Sequence, residues 1–351
     1  MNILFSEITE LQPYVGGAIN VSIDMRSITP TIERATYDYI LPIIGQTQYD
    51  ELLGNLSSTD ARIVNLLEAV RRPLALLAVY EHSFVGDISF GESGLFRTET
   101  ADLKGAFKYQ VNTFRTKHLN QGYNSIERLI LFLDANLLDY PLFTAATEYA
   151  RHRSLVINYA SEFAVHYDMK INRYIYQIMR PVIEEMEIFV LEPLLGQDFY
   201  TEIKTKIKAN TLDAQEKQLL FYLQKSVAHY TVLESLKRNI VQFQGDRIAQ
   251  VEELEPQSSR KTSNAGMNSI GVLAGHNEEF AARHLSKAKW YLTENIDNFA
   301  TYKAWKEALA AAVEEAATTV EDNSRYSACG RCYGNCNCTT TTKKTKKIFR
   351  F

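Results

Sequence analysis

Between Asp60 and Phe84 the apolar residues Ile63, Leu67, Val70, Leu74 and Leu77 recur three or four positions apart. This is the spacing of one buried face of an α-helix. Asp60 stands where an N-cap would. Pro73, which has no amide hydrogen and crowds the preceding turn, predicts a kink or a second helix start. The stripe returns at Leu219, Leu223, Val227, Tyr230 and Leu233, where Ser226 replaces the proline. Further helices are predicted over Ile32 to Tyr39, Ile126 to Leu138, Phe280 to Ile296 and Tyr302 to Ala317. The helical period breaks at two related places. Gly86 to Thr98 partly alternates polar and apolar residues between glycines, which predicts a hairpin or an extended loop. Gln257 to His276 is rich in Ser, Asn and Gly and predicts a long surface loop.

The recurrence extends to individual letters. Pro30, Pro42, Gly45, Gln46 and Tyr49 reappear 151 residues later as Pro181, Pro193, Gly196, Gln197 and Tyr200. At an offset of 153, Asp60, Ala61, Leu66, Leu67, Ala75 and Val79 meet Asp213, Ala214, Leu219, Leu220, Ala228 and Val232. A weaker echo at 159 joins Leu133, Asn136, Leu137 and Phe143 to Leu292, Asn295, Ile296 and Tyr302. Small insertions explain the drift, and a unit of about 150 residues is of ordinary domain size. The pattern predicts an all-α protein: two tandem, similar helical-bundle domains, residues 1–150 and 151–317, followed by an extended tail, 318–351.

The shared phrase has a backbone explanation. Pro42 disfavours helix in the residue before it, and Gly45 permits a backbone angle that other residues resist. Tyr49, Leu52 and Leu53 then restart the helical spacing, as Tyr200 and Ile203 do in the second copy. Pro42, Gly45 and Tyr49, with Pro193, Gly196 and Tyr200, therefore read as structural corners that pack into a core.

Composition sharpens the picture. Of 351 residues, 46% are hydrophobic and 23% charged, enough for two cores, and the net charge of −4 argues against a surface that grips nucleic acid all over. The start, MNILFSEITEL, lacks a basic segment ahead of a long apolar stretch, and the most apolar run, Leu74 to Tyr80, is far too short to cross a bilayer. The expectation is a soluble protein that is not obviously secreted. No Gly-Lys dipeptide, His-Glu-x-x-His or Gly-x-Ser-x-Gly occurs, so no standard phosphate loop, zincin or hydrolase elbow is written here. His82, His166 and His229 read as core or boundary histidines. Glu184, Glu185 and Glu187, like Glu252, Glu253 and Glu255, read as solvated helix faces or caps. No catalytic residue and no cofactor are expected.

From Thr318 the chain turns polar, and seven Lys or Arg face two acids there, so the tail carries +5 and the remainder −9. Cys329, Cys332, Cys336 and Cys338 all lie in this tail. Four thiolates could ligate zinc, although zinc modules usually separate two knuckles by a dozen or more residues, so this is a weak candidate.

The corner ILPIIGQTQY, Ile40 to Tyr49, followed by a helix of the Asp60 to Phe84 kind, resembles the head-tail connector, or adaptor, proteins of tailed bacteriophages. The tandem form and lysine-rich tail are similar to neck proteins of phages and prophages of Bacteroidales, including the crAss-like group. The resemblance covers residues 1–317; the duplication and the cysteines depart from the family pattern. It implies a structural virion protein, assembled in the host cytoplasm, whose homo-oligomeric ring of about twelve copies closes by rotation. Such a ring contacts the portal and adjacent neck or tail proteins, and extends a channel through which DNA passes without sequence-specific binding. An acidic body suits such a channel. In this reading Lys343, Lys344, Lys346, Lys347, Ile348, Phe349, Arg350 and Phe351 anchor the tail on a partner. The alternatives are a duplicated helical interaction scaffold without a ring, and a nucleic-acid-binding protein acting through its tail.

Overall fold

The computed structural model describes residues 3–16, 19, 23–85, 89–91, 94–96, 107–168, 171–238, 241–244, 247–250 and 267–326. A 3-10 turn at Ile8–Glu10 leads into the short helix α1, Gln12–Val15. Helix α2, Met25–Ala35, starts where the Asp24 carboxylate accepts the Arg26 amide at 2.9 Å, an N-cap that satisfies one of the free amides of the first turn. Its apolar residues Ile28, Ile32 and Ala35 are fully buried. The helix does not end before Pro42. It widens into a π-turn, Thr36–Ile40, closed by the Leu41 amide on the Thr36 carbonyl, and continues as α3, Leu41–Ile44. Proline cannot donate to the carbonyl four residues back and its ring crowds that oxygen, so a wider turn just ahead of it lets the helix pass. The expected break at Pro42 is thus corrected: the corner is made by Gly45 alone.

At Gly45 the backbone takes φ 77° and ψ 159°, a region essentially closed to residues with a Cβ. A Cβ there would also sit 3.0 Å from Ala146 Cβ and 3.2 Å from Glu148 Oε2. Helix α4, Gln46–Gly54, leaves in a new direction and buries Tyr49 and Leu52. Helix α5, Ala61–Val85, then follows, its amide at Arg62 bonded to the Asp60 carboxylate at 2.9 Å. Pro73 neither splits it nor starts a second helix: α5 runs through, with the proline ring buried. A two-stranded antiparallel hairpin, β1 Ser89–Gly91 and β2 Gly94–Phe96, pairs Phe90 with Leu95. It realises the hairpin option for the first interruption. Helix α6, Lys108–Ala135, a 3-10 turn at Leu137–Asp139, α7, Pro141–Thr144, and α8, Thr147–His152, complete the first copy.

The second copy repeats this order. Helix α9, Ala160–His166, precedes α10, Arg173–Met186, the π-turn Glu187–Leu191, α11, Glu192–Leu195, and α12, Gln197–Ala209. Both π-turns occupy the same repeat positions at an offset of 151, and Gly196 has φ 76° and ψ 151°, nearly the angles of Gly45. Helix α13, Ala214–Lys237, begins 153 residues after α5, with a capping box between Asp213 and Glu216. The hairpin β3 Val241–Gln244 and β4 Arg247–Gln250 stands where the first copy has β1 and β2. Helix α14, Met267–Glu294, and the 3-10 turn Ile296–Asn298 match α6 and its turn at an offset of 159. The loop expected over Gln257 to His276 is corrected in its second part, which is helix from Met267 onward; 257–266 lie outside the described residues.

Met1–Phe299 forms one compact unit and Ala300–Phe351 another. The first copy has its own core, from Leu4 and Phe5 through Tyr49, Leu74 and Leu133 to Phe143. The expected boundary at 150/151 falls inside α8, and the two copies meet where α6 packs on α10. There Asn172 Nδ2 donates to Asn120 Oδ1 at 2.8 Å and the Tyr123 and Tyr174 rings lie 4.9 Å apart. The second unit contains α15, Ala300–Tyr326, where the Tyr302 and Trp305 rings touch at 5.6 Å. Helix continues through Thr318, where a polar tail had been expected to begin.

Candidate functional site

The corners are anchored from below. Tyr49 is fully buried against Thr36, the first residue of its π-turn, and the backbone of Leu4, and burial raises the pKa of its hydroxyl. In the second copy Tyr200 donates to Glu187 Oε2 at 3.0 Å, and the Val156 amide donates to Glu187 Oε1 at 2.5 Å. Glu187 stands at the repeat position of Thr36, and Lys204, which pairs with it, at that of Leu53. Glu187 is fully buried, so the expectation of a solvated helix face is corrected for this residue. Burial pushes its carboxyl pKa up and the Lys204 ammonium pKa down, each partner opposing the other's shift. Glu184 and Glu185 lie nearer the surface, Glu185 paired with Arg238 at 2.6 Å.

The segment joining the copies is buried and held by polar side chains from the helices around it. Leu155, Val156, Ile157 and Asn158 are all buried, so their backbone groups need partners from the protein. The Val156 carbonyl accepts from Gln224 Nε2 at 2.7 Å, the Ile157 carbonyl from the Tyr176 hydroxyl at 2.7 Å, and the Asn158 carbonyl from Arg173 Nη1 at 3.2 Å. Asn158 Oδ1 takes the Leu155 amide at 3.0 Å, and Glu162 takes the Asn158 amide at 2.7 Å. Arg173 also reaches Glu127 at 3.2 Å, and Glu127 accepts from both the amide and hydroxyl of Ser161. Burial raises the Glu162 carboxyl pKa to about 7. Both its oxygens already hold hydrogen bonds, the second from Gln224 at 2.7 Å, so its chemistry goes into fixing the connector.

The N-terminal segment is the counterpart of this connector at an offset of 152. The Ser6 amide donates to Glu10 as the Asn158 amide donates to Glu162. Arg71 binds the Leu4 carbonyl at 2.7 Å where Gln224 binds that of Val156. Sequence reading missed this echo because almost no letters are shared; aligned burial and hydrogen bonding reveal it. It also missed Glu187 and Lys204, although aligning the copies at 151 would have exposed a charged pair where the first copy has Thr and Leu.

The histidines sit in apolar surroundings, as expected. Burial lowers the pKa of His166 to about 4; it also lowers that of His229, whose Nδ1 donates to Asn277 Oδ1 at 3.0 Å. His82 is half-buried and likewise lowered by burial. His152 Nε2 donates to the Pro42 carbonyl at 3.1 Å, tying α8 to the first corner. Among the described residues no group of three or more His, Cys, Asp or Glu is placed to hold a metal ion, and no helix is long and apolar enough to cross a membrane. Cys329, Cys332, Cys336, Cys338 and Lys343 to Phe351 lie outside the described residues, as do Glu252, Glu253 and Glu255.

These features define a class: an all-α protein, with one short hairpin per copy, made of two tandem copies of one helical unit, each turned by a glycine corner behind a π-turn. The chain belongs to the family of unknown function DUF6712, whose model matches residues 28–153 and 191–313, once in each copy. No curated protein and no solved structure matches the chain.

Proposed function

We propose that this chain is a structural, non-enzymatic component of a tailed-phage neck, forming a ring between portal and tail that extends the DNA channel and offers a docking platform. The observation that carries the reading is the duplicated corner. The phrase that resembles head-tail connectors is, in both copies, a π-turn, a short helix and a glycine at φ near 77°. In the second copy its polar groups are committed to holding the fold: Tyr200, Glu187 and Lys204 bind one another and the connector. Two packed copies with different surfaces suit a subunit that meets one neighbour on each side. The acidic body, −9 outside the tail, repels phosphate and suits passage of DNA over gripping it.

The test is electron microscopy of the purified full chain, alone and mixed with the portal protein of the same genome. The expected result is a closed ring seated on the portal and retained in virions. A chain that stays monomeric with portal and is absent from particles would overturn the proposal.

A further inference from the structure

Four exposed or half-buried positions on α5 and α6 and on α13 and α14 correspond between the copies. In the first copy they hold Glu68, Arg72, Arg128 and Leu131; in the second, Phe221, Lys225, Lys287 and Trp290. The first copy spends two of them on an exposed ion pair, Glu68 with Arg72 at 3.2 Å. The second has no carboxylate among the four. Lys225 lies over the Phe221 ring at 5.0 Å and Lys287 over the Trp290 ring at 3.6 Å. Phe221 is 39% exposed and Trp290 50%. Two large aromatic rings left at the surface, each beside a cation, are the composition of an interface anchor rather than of a solvated helix face.

We propose that this α13/α14 face docks the acidic first copy of a second molecule of the same chain. The proposal rests on the ring reading only for its choice of a like partner. Charge identifies which part of that partner docks. Residues 1–150 hold 11 basic against 18 acidic residues, a net −7, whereas residues 151–317 hold 20 against 22, a net −2. The copies are therefore unequal, and the lysine-aromatic face lies on the less acidic one. The tail, at +5, is repelled by such a face. A nucleic acid strand fits less well: Lys287 already covers a face of Trp290 on which a base would stack, and the nearby Arg283 is held by Glu279 at 2.5 Å. Carboxylates approaching Lys225 and Lys287, with Phe221 and Trp290 buried between them, satisfy both halves of the patch. The contact joins unlike surfaces, so it propagates head to tail and closes by rotation.

The test uses the full chain. Self-association is followed by analytical ultracentrifugation across a salt series for the native protein, Trp290→Ala, Lys287→Glu and the control Leu131→Ala, with melting temperature measured for each. The expected result is association that weakens with salt and falls at least tenfold in Trp290→Ala and Lys287→Glu, while Leu131→Ala associates normally and all four melt alike. Zero-length carboxyl-amine cross-linking of mixed heavy- and light-isotope protein should join Lys225 or Lys287 of one molecule to carboxylates within residues 1–150 of another. Unchanged association in both variants would overturn this interface while leaving the ring reading intact. A protein monomeric at every salt concentration overturns it too, as do variants that lose binding to a single-stranded oligonucleotide but not to one another.

Discussion

At the first corner the π-turn begins with Thr36, whose hydroxyl donates to the Ile32 carbonyl at 2.9 Å inside its own helix. At the second it begins with Glu187, which gathers the Tyr200 hydroxyl, the Lys204 ammonium and the Val156 amide. The backbone path is the same; the buried chemistry is not. A threonine can satisfy itself locally, whereas a buried carboxylate must be neutralised and hydrogen-bonded by groups brought from elsewhere. The second corner is thereby tied to the segment between the copies, and the first to the N-terminal segment through packing around Tyr49. Duplication kept the turn and let the polar interior diverge.

The sharpest way to break this comparison is to remove the charge. Glu187→Ala leaves Lys204 and the Val156 amide without their acceptor and should cost about 3–5 kcal/mol in denaturant unfolding, against about 1 kcal/mol for Thr36→Ala. Equal losses would mean that the buried charge is not what distinguishes the corners. Next in size are the glycines, where the copies should agree: Gly45→Val and Gly196→Val should each destabilise by about 1–3 kcal/mol. Unchanged melting in either variant would remove the positive φ as the cause of the turn.

The junction carries a pH signature. The Glu162 carboxyl is raised from 4.5 to about 7 by burial, so between those values the folded state binds a proton that the unfolded chain has lost. Its contribution is therefore complete below about pH 4.5 and declines as pH rises through about 7. Melting temperature recorded across that window should show this downward contribution, and Glu162→Gln should flatten it. A slope identical in native protein and variant would assign the effect to other groups. The smallest expected effect is the most specific: Glu187→Thr combined with Lys204→Leu copies the first corner into the second and should leave stability within about 1–2 kcal/mol of the native value, since apolar replacement of a buried pair is often neutral. A loss as large as that of Glu187→Ala would show that the second copy cannot accept the first copy's interior.

What the residues determined alone is local. Gly45 and Gly196 fix their own backbone angle, the three-and-four spacing of Ile63, Leu67, Val70, Leu74 and Leu77 fixes the buried face of α5, and Asp60 caps its start, because each depends on neighbours within a turn or two. The duplication was legible for the same reason, since proline and glycine constraints tolerate little substitution. Even so, proline was overread at Pro42, and at Pro73 in the option of a second helix start. Pro42 passes through a π-turn and Pro73 stays inside a continuous helix, because packing of Leu74, Leu77 and Val70 into the core outweighs the loss of one backbone hydrogen bond. Tertiary structure alone decided which polar residues are interior. Glu187 and Glu184 look alike in sequence, yet one is buried among Lys204, Tyr200 and Val156. Partners 13, 17 and 31 residues away leave no periodic trace, since burial of a charge is set by what the fold brings to it and not by the residues beside it.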